Sequence, residues 1–75
     1  MTPTEYQTQK NLARTLDRCA DRAESIDRDP ATAKQCWFLA GLILKAGEDG
    51  DEFLLDTSFV LTKRRASQMI DAYLN

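Results

Sequence analysis

Histidine is absent from this 75-residue sequence. The chain therefore lacks the side chain that most often serves as general base, as a switch near neutral pH and as a zinc ligand. It also lacks a glycine-rich phosphate loop and an obvious pairing of a nucleophile with a base. Because so short a chain leaves little room for a sizeable substrate pocket, we predict a protein that is not an enzyme and uses no cofactor.

Cysteine is scarce, at two residues. Cys19 and Cys36 lack the CxxC spacing of metal and redox sites, so we predict two buried thiols on two helices. A disulfide between them would require an oxidising compartment. The opening MTPTEYQTQK has no apolar core typical of a signal peptide, and the expected location is the cytoplasm.

Long apolar runs and an excess of positive charge are also missing. The run CWFLAGLIL has nine residues, whereas a membrane-spanning helix needs about 20. Ten basic residues face twelve acidic ones, a net charge of −2, so no general attraction to nucleic acid or to an anionic membrane is expected. Hydrophobic residues make up 43% of the chain, which is typical of a folded chain, and we predict a single domain over residues 1–75.

A first helix is predicted from Thr2 to about Arg28. Thr2-Pro3-Thr4-Glu5 has the pattern of a capping box with proline at the first helical position. One face repeats at spacings of four and three residues and fits either an intramolecular core or a homodimer: Leu12, Leu16, Cys19, Ala23 and Ile26. The opposite face is charged. It is either solvated or a docking surface whose candidate contacts are Arg14, Arg18 and Arg22.

A second helix is predicted to end near Ala46, before Gly47, and to begin at Asp29 or, as we favour, at Thr32. It is apolar almost all round from residue 36 to 44, which predicts a buried central helix. We expect Trp37 and Phe38 to fill most of the core, although an aromatic pair can also stack on nucleic-acid bases.

The segment GEDGDEFLLDTSFVLT follows, with an acidic turn around Gly50. A calcium loop needs about 12 residues with ligands at alternate positions, and this pattern does not fit, so no metal is predicted. The apolar residues are expected inside, in a short helical turn or an extended strap over the second helix: Phe53, Leu54, Leu55, Phe59, Val60 and Leu61.

The last helix is predicted from about Lys63 to Tyr73, capped by Thr62, with an apolar face on the core. The expected fold is all-α. It has a helical hairpin, a C-terminal helix that closes the core, and a short irregular or one-turn segment between the second and third helices.

Residues 31–75 resemble a short helix–loop–helix module of bacterial and phage proteins, similar to SAP-type units and of unknown function. The matching positions are Thr32, Lys34, Gln35, Leu39, Leu42, Leu61, Thr62, Lys63, Ala66, Ser67, Ile70, Asp71 and Leu74. The resemblance implies a fold more than an activity, since these are mostly caps and core positions. Such modules often accompany proteins that process nucleic acid.

The chain departs from that pattern at Arg65, where the module has a glutamate that would close a capping box with Thr62. Arginine cannot accept a hydrogen bond, and its charge opposes the helix dipole. Two interpretations of Lys63, Arg64 and Arg65 remain open. Either acids of residues 48–56 fold back and neutralise them, or they form an anion site at the helix start.

We therefore expect a small non-enzymatic regulator that binds a protein partner. A partner that handles nucleic acid is one form of this expectation, and the class includes phage inhibitors of host defence. The first alternative is direct but weak nucleic-acid binding through Lys63, Arg64 and Arg65, supported by Lys10, Lys34 or Lys45. The second is a homodimer formed along the first helix. No membrane partner is expected.

Overall fold

The computed structural model describes residues 2–75 and is an all-α domain, as predicted. Four helices follow one another: α1 (Pro3–Ser25), α2 (Ala33–Lys45), α3 (Asp51–Leu55) and α4 (Lys63–Leu74). The helices α1 and α2 form a hairpin, α4 packs on α2, and α3 packs on α1. No helix within residues 2–75 is both long and apolar enough to cross a membrane.

Threonine caps the start of each long helix. Thr2 Oγ1 accepts a hydrogen bond from the Glu5 amide at 3.1 Å, and the Glu5 carboxylate accepts one from the Thr2 amide at 3.3 Å. Thr32 and Gln35 repeat this reciprocal pair at 3.1 and 3.0 Å. These capping boxes confirm Thr2 as the first cap and Thr32, rather than Asp29, as the start of the second helix.

The first helix ends at Ser25, about three residues before the predicted end. Asp27 adopts a left-handed backbone with φ of 59°, and the Arg28 amide donates to the Ala23 carbonyl at 3.0 Å. This is the Schellman arrangement, in which a left-handed residue lets the next amides close the last turn. Aspartate tolerates this conformation better than most residues but signals it less clearly than glycine does.

The core lies between α1, α2 and the start of α4. Its side chains with no exposed surface are Leu16, Cys19, Ala23, Cys36, Leu39, Ala40, Ile43, Leu61 and Ala66. Both cysteines are buried free thiols, as predicted. Burial raises the pKa of Cys36 to about 12, so this thiol stays protonated at neutral pH.

The segment between α2 and α4 contains a short helical turn, one of the two predicted forms. Phe53 is buried, with its ring centroid 5.2 Å from that of Phe59. The prediction that Leu54 and Leu55 lie inside is wrong, because these side chains are 56% and 82% exposed. A helix of five residues can turn only one side inward, and Phe53 occupies that side.

The prediction that Trp37 and Phe38 fill the core is also wrong. They are 37% and 49% exposed, and the Tyr6 ring lies 5.5 Å from the Trp37 ring. The smaller residues of α2 face α1 and α4, and residues 2–75 contain no further helix that covers the remaining side of α2.

Candidate functional site

Four cations surround the start of α4 and form what we name the basic turn: Arg28, Lys63, Arg64 and Arg65. A short antiparallel bridge brings them together. The Lys63 amide donates to the Asp29 carbonyl at 2.9 Å, and the Ala31 amide donates to the Leu61 carbonyl at 3.0 Å. The bridge places Arg28 beside Arg64, and both line two shallow depressions. Arg28 was not predicted as part of this site, because the sequence pattern placed it at the end of the first helix.

The acids of residues 48–56 do not neutralise the basic turn. Within residues 2–75, the side chains of Lys63, Arg64 and Arg65 are exposed and form no hydrogen bond or ion pair with a carboxylate. This contradicts the interpretation in which those acids fold back onto the cations.

Three of the five acids of residues 48–56 have other partners. The Glu48 carboxylate accepts from the Tyr73 hydroxyl at 2.8 Å, and Asp49 accepts from an amide of its own segment at 3.1 Å. Asp56 accepts from the Ser58 hydroxyl at 2.6 Å, and the hydrogen bonds from Ser58 hold the pKa of Asp56 below its usual value.

The start of α4 is capped less completely than the other two long helices. Thr62 Oγ1 accepts from the Arg65 amide at 3.0 Å, but Arg65 has no acceptor with which to bind the Thr62 amide in return. The helix dipole adds positive potential at this end, and each exposed cation there costs about 0.3–1 kcal/mol. The site therefore combines helix amides with four cations and one nearby acid, Asp29, and its net positive charge favours anions.

Contacts with α2 fix the position of the basic turn. Gln35 Nε2 donates to the Lys63 carbonyl and to the Ser67 hydroxyl, each at 3.2 Å. Lys34 is exposed on α2 but does not line the two depressions. Lys10 and Lys45 belong to other parts of the helical hairpin and do not line the two depressions.

The three arginines predicted on α1 do not line these depressions. Arg14 and Arg18 are exposed on α1, whereas Arg22 is partly buried. Arg22 Nη1 donates to the Phe59 carbonyl at 3.1 Å and to the Asp56 carbonyl at 3.3 Å. Arg22 thus holds residues 56–60, which form one wall of the basic turn, and its guanidinium is engaged inside the protein.

The apolar face of α1 lies inside the protomer. Leu12, Leu16, Cys19 and Ala23 are at most 6% exposed, and Ile26 alone of the predicted set is exposed, at 53%. A homodimer along this face would require the protomer to open, so the structure assigns these residues to the intramolecular core.

No cluster of three or more His, Cys, Asp or Glu side chains in residues 2–75 is placed to hold a metal ion. Comparison of the chain with protein families, with curated proteins and with solved structures gives no match. The candidate site therefore rests on the geometry of the basic turn.

Proposed function

We propose that this protein is a non-enzymatic interaction module that binds an acidic segment of a partner protein on its basic turn. The observation that supports this is the exposure of Lys63, Arg64 and Arg65, which meet no carboxylate within residues 2–75. Arginine side chains bind carboxylates through paired hydrogen bonds, and helix-start amides complement the same charge.

A protein carboxylate fits this site better than a nucleic-acid backbone does. The chain carries a net charge of −2. A long polyanion needs a broad basic surface, and it would also meet the negative charge of the rest of the molecule. A short acidic segment needs only the local patch.

The proposal is tested by cross-linked capture from the cells that make the protein, with three forms of the chain. The site variant carries Arg64→Glu and Arg65→Glu, and the matched control carries Arg14→Glu and Arg18→Glu on α1. Because a glutamate at position 65 completes the capping box, weakened capture cannot be explained by a weaker start of α4.

We expect one protein to be captured by the wild type and by the α1 control, and to be lost with the site variant. Equal capture by all three forms would refute binding through the basic turn. Loss of capture with the α1 control alone would instead indicate a binding surface that contains Arg14 and Arg18.

Direct nucleic-acid binding is the second candidate, and the addition of Arg28 to the basic turn is the observation that favours it. It is tested by titration against single- and double-stranded DNA and RNA at two salt concentrations. If this function holds, affinity falls with salt by a logarithmic slope of about 0.9 for each duplex phosphate contacted, and the Arg64→Glu, Arg65→Glu variant binds more weakly. Absence of binding at low salt would reject it.

The resemblance to a phage and bacterial module supports a partner that handles nucleic acid, and an inhibitor of host defence is one form of this proposal. Both cysteines are free thiols, which fits the reducing cytoplasm. Identification of the captured protein tests this part, and a partner with no role in nucleic-acid metabolism or phage defence would contradict it.

A further inference from the structure

Two further exposed surfaces lie outside the basic turn. One is the acidic leucine turn, which we define as residues 48–56 and which contains α3. Leu54 and Leu55 are 56% and 82% exposed there. The same nine residues carry five carboxylates and no cation: Glu48, Asp49, Asp51, Glu52 and Asp56. This surface is therefore an apolar projection surrounded by negative charge.

The other is the aromatic face of α2, which consists of Lys34, Trp37, Phe38 and Lys45. Spacings of three, four and seven residues place these side chains on one side of the helix, and all four are exposed. The helix contains no aspartate or glutamate. Its exposed side is therefore apolar in the middle and positive at both ends, which are about 16 Å apart along the helix axis.

The two surfaces complement each other in hydrophobicity and in charge. Both keep exposed apolar area in the protomer, although the Tyr6 ring packs against part of Trp37. We propose that the acidic leucine turn of one copy docks on the aromatic face of a second copy. Leu54 and Leu55 would pack against Trp37 and Phe38, which are residue types enriched at interface centres. The surrounding carboxylates would meet the lysines of α2.

The size of the protomer favours a reciprocal arrangement. A stable interface covers about 800 Å² of each partner, about a sixth of the 5122 Å² surface of this chain. Each copy carries both surfaces. Two reciprocal contacts close a dimer and bury more area than the single contact of an open chain of copies.

The experiment measures self-association of the purified protein by sedimentation velocity at low salt, from about 10 µM to about 1 mM, a range that covers weak contacts. One variant reverses the face with Lys34→Glu and Lys45→Glu. A second reverses the turn with Asp51→Lys and Glu52→Lys. The control carries Arg14→Glu and Arg18→Glu, which belong to neither surface.

We expect the wild type and the control to associate, and each reversed variant alone to associate about tenfold more weakly. An equimolar mixture of the two reversed variants should recover association, because the reversed face of one then matches the reversed turn of the other. A shift to dimers, or to larger species that grow with concentration, supports the proposal.

A monomer over the whole range overturns the proposal. Association that neither reversal weakens, or a mixture that fails to recover it, also overturns it. A further variant, Leu55→Ser, tests the apolar part. Leu55 is nearly fully exposed, so this change should weaken association without lowering the thermal midpoint. No partner protein or nucleic acid is present in these measurements, so their outcome is independent of the function proposed for the basic turn.

Discussion

Replacing Gly50 with alanine should destabilise the protein more than any other glycine substitution in the chain. Gly50 has φ of +73°, and a Cβ at this position would lie 2.5 Å from Leu12 Cδ1 and 3.2 Å from Leu12 Cδ2. The left-handed backbone costs a non-glycine residue about 1–2 kcal/mol. Forcing a methyl group into the packed contact adds about 1–3 kcal/mol.

The expected loss of about 2–5 kcal/mol is large for a chain of this length, whose total stability is about 4–11 kcal/mol. Gly47→Ala is the matched control, since Gly47 has φ of +84° and nothing within 4 Å of the added Cβ. The Gly47→Ala variant should lose only about 1–2 kcal/mol, which is what the left-handed backbone costs a non-glycine residue. Alanine restricts the unfolded chain equally at both positions, so the difference between the two variants isolates the clash with Leu12.

A double-mutant cycle with Leu12→Val sharpens the test, because valine lacks both Cδ atoms. In that background, Gly50→Ala should cost only about 1–2 kcal/mol, the value expected for Gly47→Ala. Urea unfolding followed by circular dichroism gives these free energies. Equal losses for Gly47→Ala and Gly50→Ala in the wild-type background would refute the packing of α1 against the start of α3 described above.

Three further predictions concern α4 and the loop before it. Arg65→Glu should stabilise the protein by about 1 kcal/mol, seen as a rise of about 4–8 °C in the thermal midpoint, because it closes the capping box with Thr62 and reverses an unfavourable dipole interaction; no rise would contradict the account of this helix start. Arg22→Gln should cost about 1–3 kcal/mol and speed amide exchange in residues 56–60, because the carbonyls at 56 and 59 lose a charged donor; unchanged exchange there would show that Arg22 does not hold the loop. Burial and the hydrogen bond to Glu48 raise the pKa of Tyr73 from 10.0 to about 12. The contribution of the protonated Tyr73 hydroxyl to the free energy of unfolding is therefore complete below pH 10 and is lost as pH rises towards 12. The Tyr73→Phe variant should therefore lose less stability than the wild type over that range. Parallel curves of unfolding free energy against pH for the two proteins would contradict the raised pKa.

The fold follows closely from local signals in the sequence. Thr2, Thr32 and Thr62 each begin a helix, and Gly47 adopts the left-handed conformation expected beyond the end of α2. These positions were predictable because a cap depends on three or four consecutive residues. The early end of α1 at Ser25 was not predictable, because the left-handed residue that follows it is Asp27, and aspartate signals this conformation less clearly than glycine does.

Burial was less predictable, because it depends on how many neighbours a helix has. The apolar run of α2 indicated a helix surrounded on all sides. Among the helices of residues 2–75, only α1 and α4 pack against it, so Trp37 and Phe38 remain exposed. Leu54 and Leu55 stay outside for a similar reason. Hydrophobicity indicates that a side chain gains by burial, whereas the number of elements determines how many can be buried.

The candidate site was predictable in part. The cations at 63, 64 and 65 were visible as a run at a helix start, but Arg28 joins them only through the bridge between residues 29–31 and 61–63. Likewise, the hydrogen bond from Arg22 to the Phe59 carbonyl joins residues 37 positions apart in the chain, and local sequence patterns carry no information over that separation.

The three long helices offer an internal comparison that bears on function. Each starts with threonine, and the third residue after it is Glu5 in α1, Gln35 in α2 and Arg65 in α4. Two of these residues accept a hydrogen bond from the cap amide, while the third cannot. A small protein with about 4–11 kcal/mol of stability gives up about 1 kcal/mol at this one position. Departures from otherwise consistent local rules are expected where a surface serves another purpose. Here the departure at Arg65 leaves positive charge at the start of α4, where Arg28 adds a fourth cation from a different part of the chain. This combination is the physical basis for proposing that the basic turn binds an acidic partner.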